Sequence, residues 1–153
     1  MTTIALFHSV LGVRPGVNAA ANLLRSHEHT VRVVDQYDGR VFDNYDEAGA
    51  YATNIGYPTL MQAAAHAVED MSGPFVCAGF SNGGGMSMHV ATNDPSVYGV
   101  VLFSGAMDPA TIGVPRWPTT VPVEVHYTVA DPFRNQNEID SLERLVKESG
   151  ASF

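Results

Sequence analysis

Gly79-Phe80-Ser81-Asn82-Gly83 fits G-x-S-x-G, a pattern that places a serine in a sharp turn between a strand and a helix. Apolar Phe75-Val76-Cys77-Ala78 precedes it, and a small-residue helix is expected over Asn82–Asn93. Chemistry uses a serine so placed as a nucleophile toward an acyl carbonyl. Small residues at 79 and 83 let neighbouring backbone come close. The helix N-terminus brings the Asn82 N–H and its dipole to the oxygen that gains charge. The plainer reading is a glycine-rich turn with an incidental serine. Phosphate binding fails by motif. No Gly-Lys-Ser/Thr follows, and Met88 takes the third glycine position of a G-x-G-x-x-G opened by Gly83.

A serine nucleophile needs a base, and the base needs an acid to orient it. Asp131 follows a strand-like run, 123–129, and precedes Pro132. That puts it at the carboxyl edge where open α/β sheets gather ligands. An aspartate capping the next helix fits the position nearly as well. No histidine follows position 131. His8 is the best placed of those present, at the end of a strand expected to neighbour the elbow strand, though a loop-orienting role is the favoured reading. His89 lies about 10 Å of helix rise or more beyond Ser81. His126 reads as a strand side chain packed under a helix. His27 and His29 flank Glu28 and read as a solvated turn, and His66 stands alone, so no metal site is expected.

The elements that must position these residues alternate between strand-like and helix-like runs, the pattern of an α/β sheet. Strands are expected at 3–8, 30–34, 75–78, 97–104 and 123–129, and helices at 18–26, 46–56, 58–68, 82–93 and 135–149. Ala151-Ser152-Phe153 reads as the first residues of a further strand. The chain has 153 residues, 45% hydrophobic and 16% charged, with a formal net charge of −8. That suits one domain over 1–153 and argues against nucleic acid and anionic membrane as partners. One cysteine, Cys77, rules out an internal disulfide framework. No apolar run approaches the roughly 20 residues of a membrane span. The N-terminus lacks the basic region of a signal peptide, and a cytoplasmic location is expected.

With these residues in view, the chain resembles the dienelactone hydrolase family of small α/β-hydrolases. The resemblance covers nearly the whole chain. It rests on His8-Ser-Val-Leu-Gly12, Val34-Asp-Gln-Tyr-Asp-Gly39, Gly79-Phe-Ser-Asn-Gly-Gly84, and Val123-Glu-Val-His-Tyr127 leading to Ala130-Asp-Pro132. It implies an α/β-hydrolase fold, a mostly parallel sheet with helices on both faces in three αβα layers. It also implies cofactor-independent hydrolysis of small esters or lactones. Ser81 would be the nucleophile, Asp131 the acid, and the N–H groups of Val10 and Asn82 the oxyanion hole. The best-known members carry cysteine where Ser81 stands, and a glutamate where Ser9 stands. A serine needs no thiol-tuning carboxylate, so the two departures agree, and they point away from dienelactone itself.

The family's histidine lies after one more helix and strand, beyond Phe153. The chain therefore reads as a shortened form of a longer hydrolase, and the 153-residue form is expected to be inactive or nearly so. Candidate substrate contacts are His8, Ser9, Asp35, Tyr37 and Trp117, although turn chemistry accounts for Asp35 equally well. Trp117 and Tyr37 either wall a pocket or cover the core. Arg14, Arg40, Arg116 and Arg134 fall in expected loops, mostly as surface residues. One rival reading is a non-catalytic binding or assembly module, because an open sheet edge invites a second copy of the chain. Another is a flavodoxin-like nucleotide binder.

Overall fold

The computed structural model describes residues 1–153. Its centre is β1 (Thr3–Phe7). β1 is covered on both faces, so it is an unbroken apolar run rather than an alternating one. Five strands form one sheet in the order β2-β1-β3-β4-β5, with β2 at Thr30–Val34, β3 at Phe75–Phe80, β4 at Val97–Phe103 and β5 at Val123–His126. Every neighbouring pair is parallel. The chain leaves β1 toward β2 on one side and later returns to β3 on the other. The loops after β1 and β3 therefore diverge, and that divergence opens a crevice at their carboxyl ends.

Helix α1 (Pro15–Ser26) covers one face through Val17 and Ala21, against Ile4, Leu6, Val31 and Ala78. It begins three residues before the expected Asn18, because Pro15 is pre-set for a first helical turn. The other face holds the larger core. There α3 (Tyr57–His66), α4 (Asn82–Asn93) and α5 (Gln136–Ser149) bring Leu60, Met86, Val90 and Leu142 onto Phe7, Cys77, Val100 and Leu102. Helix α2 (Tyr45–Ile55) packs on α3. No helix is long and apolar enough to cross a membrane.

Other expectations change too. β5 ends at His126 rather than 129, and the Tyr127 hydroxyl instead accepts the Ala106 N–H at 3.2 Å. His126 is not under a helix. It is exposed, with its ring stacked on Phe103 at 5.6 Å. Residues 151–153 form no strand, but the Ser152 carbonyl accepts the Val123 N–H at 3.0 Å, one rung beside β5.

Helix α4 lies on β1, β3 and β4, and its first turn has no side chains on three successive residues. A Cβ on Gly83 would sit 2.6 Å from the carbonyl oxygens of Phe7 and His8, and one on Gly84 would collide with the backbone of Gly105. Backbone cannot retreat as a side-chain tip can, so the cost is that of overpacking a rigid contact. Gly84→Ala should destabilise the protein by about 2 kcal/mol or more in urea unfolding. Gly16→Ala in α1, with nothing within 4 Å of the new methyl, should stabilise it by up to about 1 kcal/mol. Equal effects would refute the close-contact account.

Candidate active site

Ser81 sits between β3 and α4 with φ 51° and ψ −119°. A side chain is held at such angles only where its surroundings over-determine it. Here they do. Its N–H donates to the Phe103 carbonyl at 3.0 Å, and its carbonyl accepts the Gly84 N–H at 2.8 Å. A Cβ on Gly79 would collide with the Gly83 carbonyl, and one on Gly105 would lie 2.7 Å from the Ser81 carbonyl oxygen. The turn thus needs glycine at the positions flanking it. The Ser81 hydroxyl does not cap α4 and is free to react. Asn82, first residue of α4, has no intrahelical acceptor for its N–H.

The loop after β1 comes alongside. The Ser9 carbonyl accepts the Gly12 N–H at 3.1 Å, and the Ser9 hydroxyl accepts the Leu11 N–H at 3.2 Å. Between them the Val10 N–H donates to no group of the chain. Ser9, Val10, Ser81, Asn82, Ser104 and Asp131 line one cleft of about 890 Å³. Tyr45, Tyr57 and Phe133 form its mouth, with Tyr45 and Phe133 edge to face at 5.3 Å. No arginine, lysine or histidine lines it.

Asp131 projects from the turn after β5. It accepts the Phe133 N–H at 2.9 Å. The Ser104 hydroxyl beside it and then this N–H hold its carboxyl below the usual carboxylate range. It is therefore ionised at neutral pH. The sequence reading overlooked Ser104, placing it inside the strand over 97–104. It stands one residue past β4 with φ 52°, as Ser81 stands one residue past β3. The Ser104-Gly105 pair at a strand end was the available signal.

Other expected contacts lie elsewhere. His8 is buried and does not line the cleft. Its Nδ1–H donates to the Ser9 carbonyl at 2.6 Å, and its Nε2 accepts the Gln36 N–H at 3.0 Å. A backbone N–H can only donate, which fixes this tautomer. Both nitrogens are used, so His8 is no base for Ser81. It ties the β1 loop to the end of β2. Asp35 is a turn aspartate, accepting the N–H groups of Tyr37 at 2.9 Å and Gly39 at 2.7 Å. Trp117 is a core residue whose indole N–H donates to the Val121 carbonyl at 2.7 Å. Tyr37 is buried among His8, Phe42 and Tyr51 and does not face the cleft. Burial raises the pKa of its hydroxyl, and the Asn82 side chain beside it partly offsets that rise.

Two titrations follow. Ser104→Ala should raise the Asp131 carboxyl toward the ordinary value in a carboxyl-carbon NMR titration, and an unchanged midpoint would remove Ser104 from the site. Burial lowers the His8 pKa from its usual 6.5, so the folded state favours the neutral ring. Its contribution is then complete above 6.5 and declines as pH falls below that value. Urea unfolding should show stability dropping below pH 6.5, with His8 adding at most about 1.4 kcal/mol per pH unit. A flat profile down to pH 5.5 would contradict this.

The chain was compared with known proteins. The profile of the Dienelactone hydrolase family matches residues 4–153. No curated protein matches. Among solved structures, a dienelactone hydrolase-like promiscuous phosphotriesterase from metagenomic libraries is 18% identical, with a TM-score of 0.76 over 99% of this chain and 66% of its own. A Klebsiella pneumoniae protein assigned by name to the dienelactone hydrolases is 13% identical, with a TM-score of 0.74 over 99% and 71%. Esterase PE8 is 14% identical, with a TM-score of 0.63 over 98% and 79%. At such identities the likeness is one of fold, and the chain spans just under two thirds of the first relative's length. The fold, the strand-to-helix turn at Ser81 and the family match agree: this chain belongs to the dienelactone hydrolase family.

Proposed function

We propose that the chain carries the nucleophile and acid of a cofactor-independent hydrolase of small esters or lactones. The observation that carries this is the unbonded Ser81 hydroxyl in a strained turn, sharing one cleft with ionised Asp131 and two backbone N–H groups. Ser81 Oγ attacks the acyl carbonyl carbon, and the C=O electron pair moves onto its oxygen. The Val10 and Asn82 N–H groups receive that charge, aided by the α4 dipole. Collapse of the intermediate expels the alcohol, and water then releases the acid from Ser81. A base must take the Ser81 proton, and Asp131 would orient an imidazole in that role. No histidine of these 153 residues lines the cleft, so a polypeptide limited to them should hydrolyse esters very slowly.

Imidazole supplied in solution tests this. With p-nitrophenyl acetate, imidazole should give a saturable rate increase above the protein-free reaction. Ser81→Ala should abolish the increase, and Asp131→Asn should reduce it by roughly tenfold or more. A fluorophosphonate should label Ser81 faster when imidazole is present. An equal imidazole effect in Ser81→Ala sinks the reading.

The edge of β5 supports a second reading. Beyond the rung from Val123 to Ser152, its outer backbone groups pair with no strand. Such an edge can pair with a second copy of the chain. On that reading the protein is an assembly module, dimeric by sedimentation and unlabelled at Ser81 with imidazole present.

A further inference from the structure

The exposed aromatic rings of this chain are not spread evenly over its surface. Tyr45, Tyr57, Tyr98 and Phe133 are exposed, and all but Tyr98 line the cleft that holds Ser81 and Asp131. Tyr45 is 56% exposed and Phe133 65%. Leaving such rings in water is unfavourable, and their concentration beside a reactive serine marks a place that a ligand covers.

The rings come from separate parts of the chain, and local hydrogen bonds hold each side of the mouth. Tyr45 opens α2, where the Asn44 side chain accepts the Glu47 N–H at 2.8 Å. The loop before it is pinned by Arg14, whose guanidinium donates to the Phe42 carbonyl at 2.6 Å. Phe133 lies in the turn that carries the acid, and its N–H donates to the Asp131 carboxylate at 2.9 Å. The Tyr45 and Phe133 rings meet edge to face, with centroids 5.3 Å apart and planes at 61°. Tyr57 opens α3. Little ordering is therefore left for the moment of binding.

Size and chemistry point the same way. The cleft, about 890 Å³, lies near the top of the range for ligand pockets, so it has room beyond an ester group. Aromatic rings in edge-to-face or offset contact gain more than area burial alone provides. A flat ring is the group this mouth would distinguish from an aliphatic group of equal size.

We infer that Tyr45, Tyr57 and Phe133 form a platform for an aromatic ring of the substrate, which makes the substrate class small esters or lactones bearing an aryl group. The inference rests on the hydrolase reading above and adds the substrate class. It concerns the ring, on whichever side of the ester bond that ring is carried.

NMR of the phenylalanine and tyrosine rings tests it on the 153-residue protein without needing turnover. The probes are 4-phenyl-2-butanone and 4-cyclohexyl-2-butanone, methyl ketones that offer a carbonyl but no leaving group. The phenyl ketone should shift the Tyr45, Tyr57 and Phe133 ring signals and leave Tyr98 unmoved. It should half-saturate at roughly three- to tenfold lower concentration than the cyclohexyl ketone, even though the cyclohexyl ring is the more apolar. Phe133→Leu keeps an apolar side chain at an exposed position and should bring the two affinities within about twofold of each other. Tyr98→Leu should leave the preference intact. Equal or reversed affinities in the wild type overturn the inference, whether or not the variants fold. Movement of the same three ring signals on dilution of the free protein also overturns it, because a second copy of the chain would then cover the mouth. Absent ring shifts with imidazole-dependent labelling of Ser81 intact overturn the platform alone. Ring shifts as expected without that labelling overturn the hydrolase reading and leave the aromatic platform standing.

Discussion

The site depends on backbone meeting backbone at the start of α4. Gly79, Gly83, Gly84 and Gly105 bring four stretches of main chain into contact where any Cβ would collide or crowd. That contact holds Ser81 at φ 51° and seats the α4 N-terminus over the sheet edge. It also brings the loop after β1 alongside, because Gly83 lies against the carbonyls of Phe7 and His8. Strain at one residue is tolerable because the rest of α4 is almost wholly buried and cannot relax away from the sheet.

Electrostatics then separates two sets of polar residues that look alike in the sequence. His8 and Asp35 serve the framework, and their hydrogen bonds lock the loops after β1 and β2. Asp131 and Ser104 serve the cleft, where a hydroxyl holds a partly exposed carboxylate below its usual range. The neutral His8 ring fixes Ser9, and Ser9 shapes the turn that leaves the Val10 N–H unused. The donor proposed for the oxyanion thus depends on a histidine that lies outside the cleft. The cleft is lined by Tyr45, Tyr57 and Phe133 and by no lysine, arginine or histidine.

Much of the architecture was legible because it rests on local rules. Buried parallel strands are unbroken apolar runs, and α5 shows Ile139, Leu142 and Val146 at helical spacing before Gly150. Pro15 and Pro58 mark helix starts. The elbow was legible because its motif encodes a close approach that only glycine allows. Legibility failed where a side chain's role depended on distant neighbours. Trp117 fits a pocket wall or a core equally well until the Val121 carbonyl takes its N–H. Nothing local marks Ser104 as the neighbour of Asp131, since the two meet only through the β4–β5 pairing.

By itself, then, the sequence determined the parallel α/β sheet, the strained serine turn and the family. Each is set by spacing within one element or by residues a few positions apart. Only the tertiary structure decided which polar residues share the cleft, that His8 is spent on the framework, and that Tyr45, Tyr57 and Phe133 meet at the cleft mouth. Those outcomes depend on strand order and crossover geometry, which bring together residues far apart in the chain.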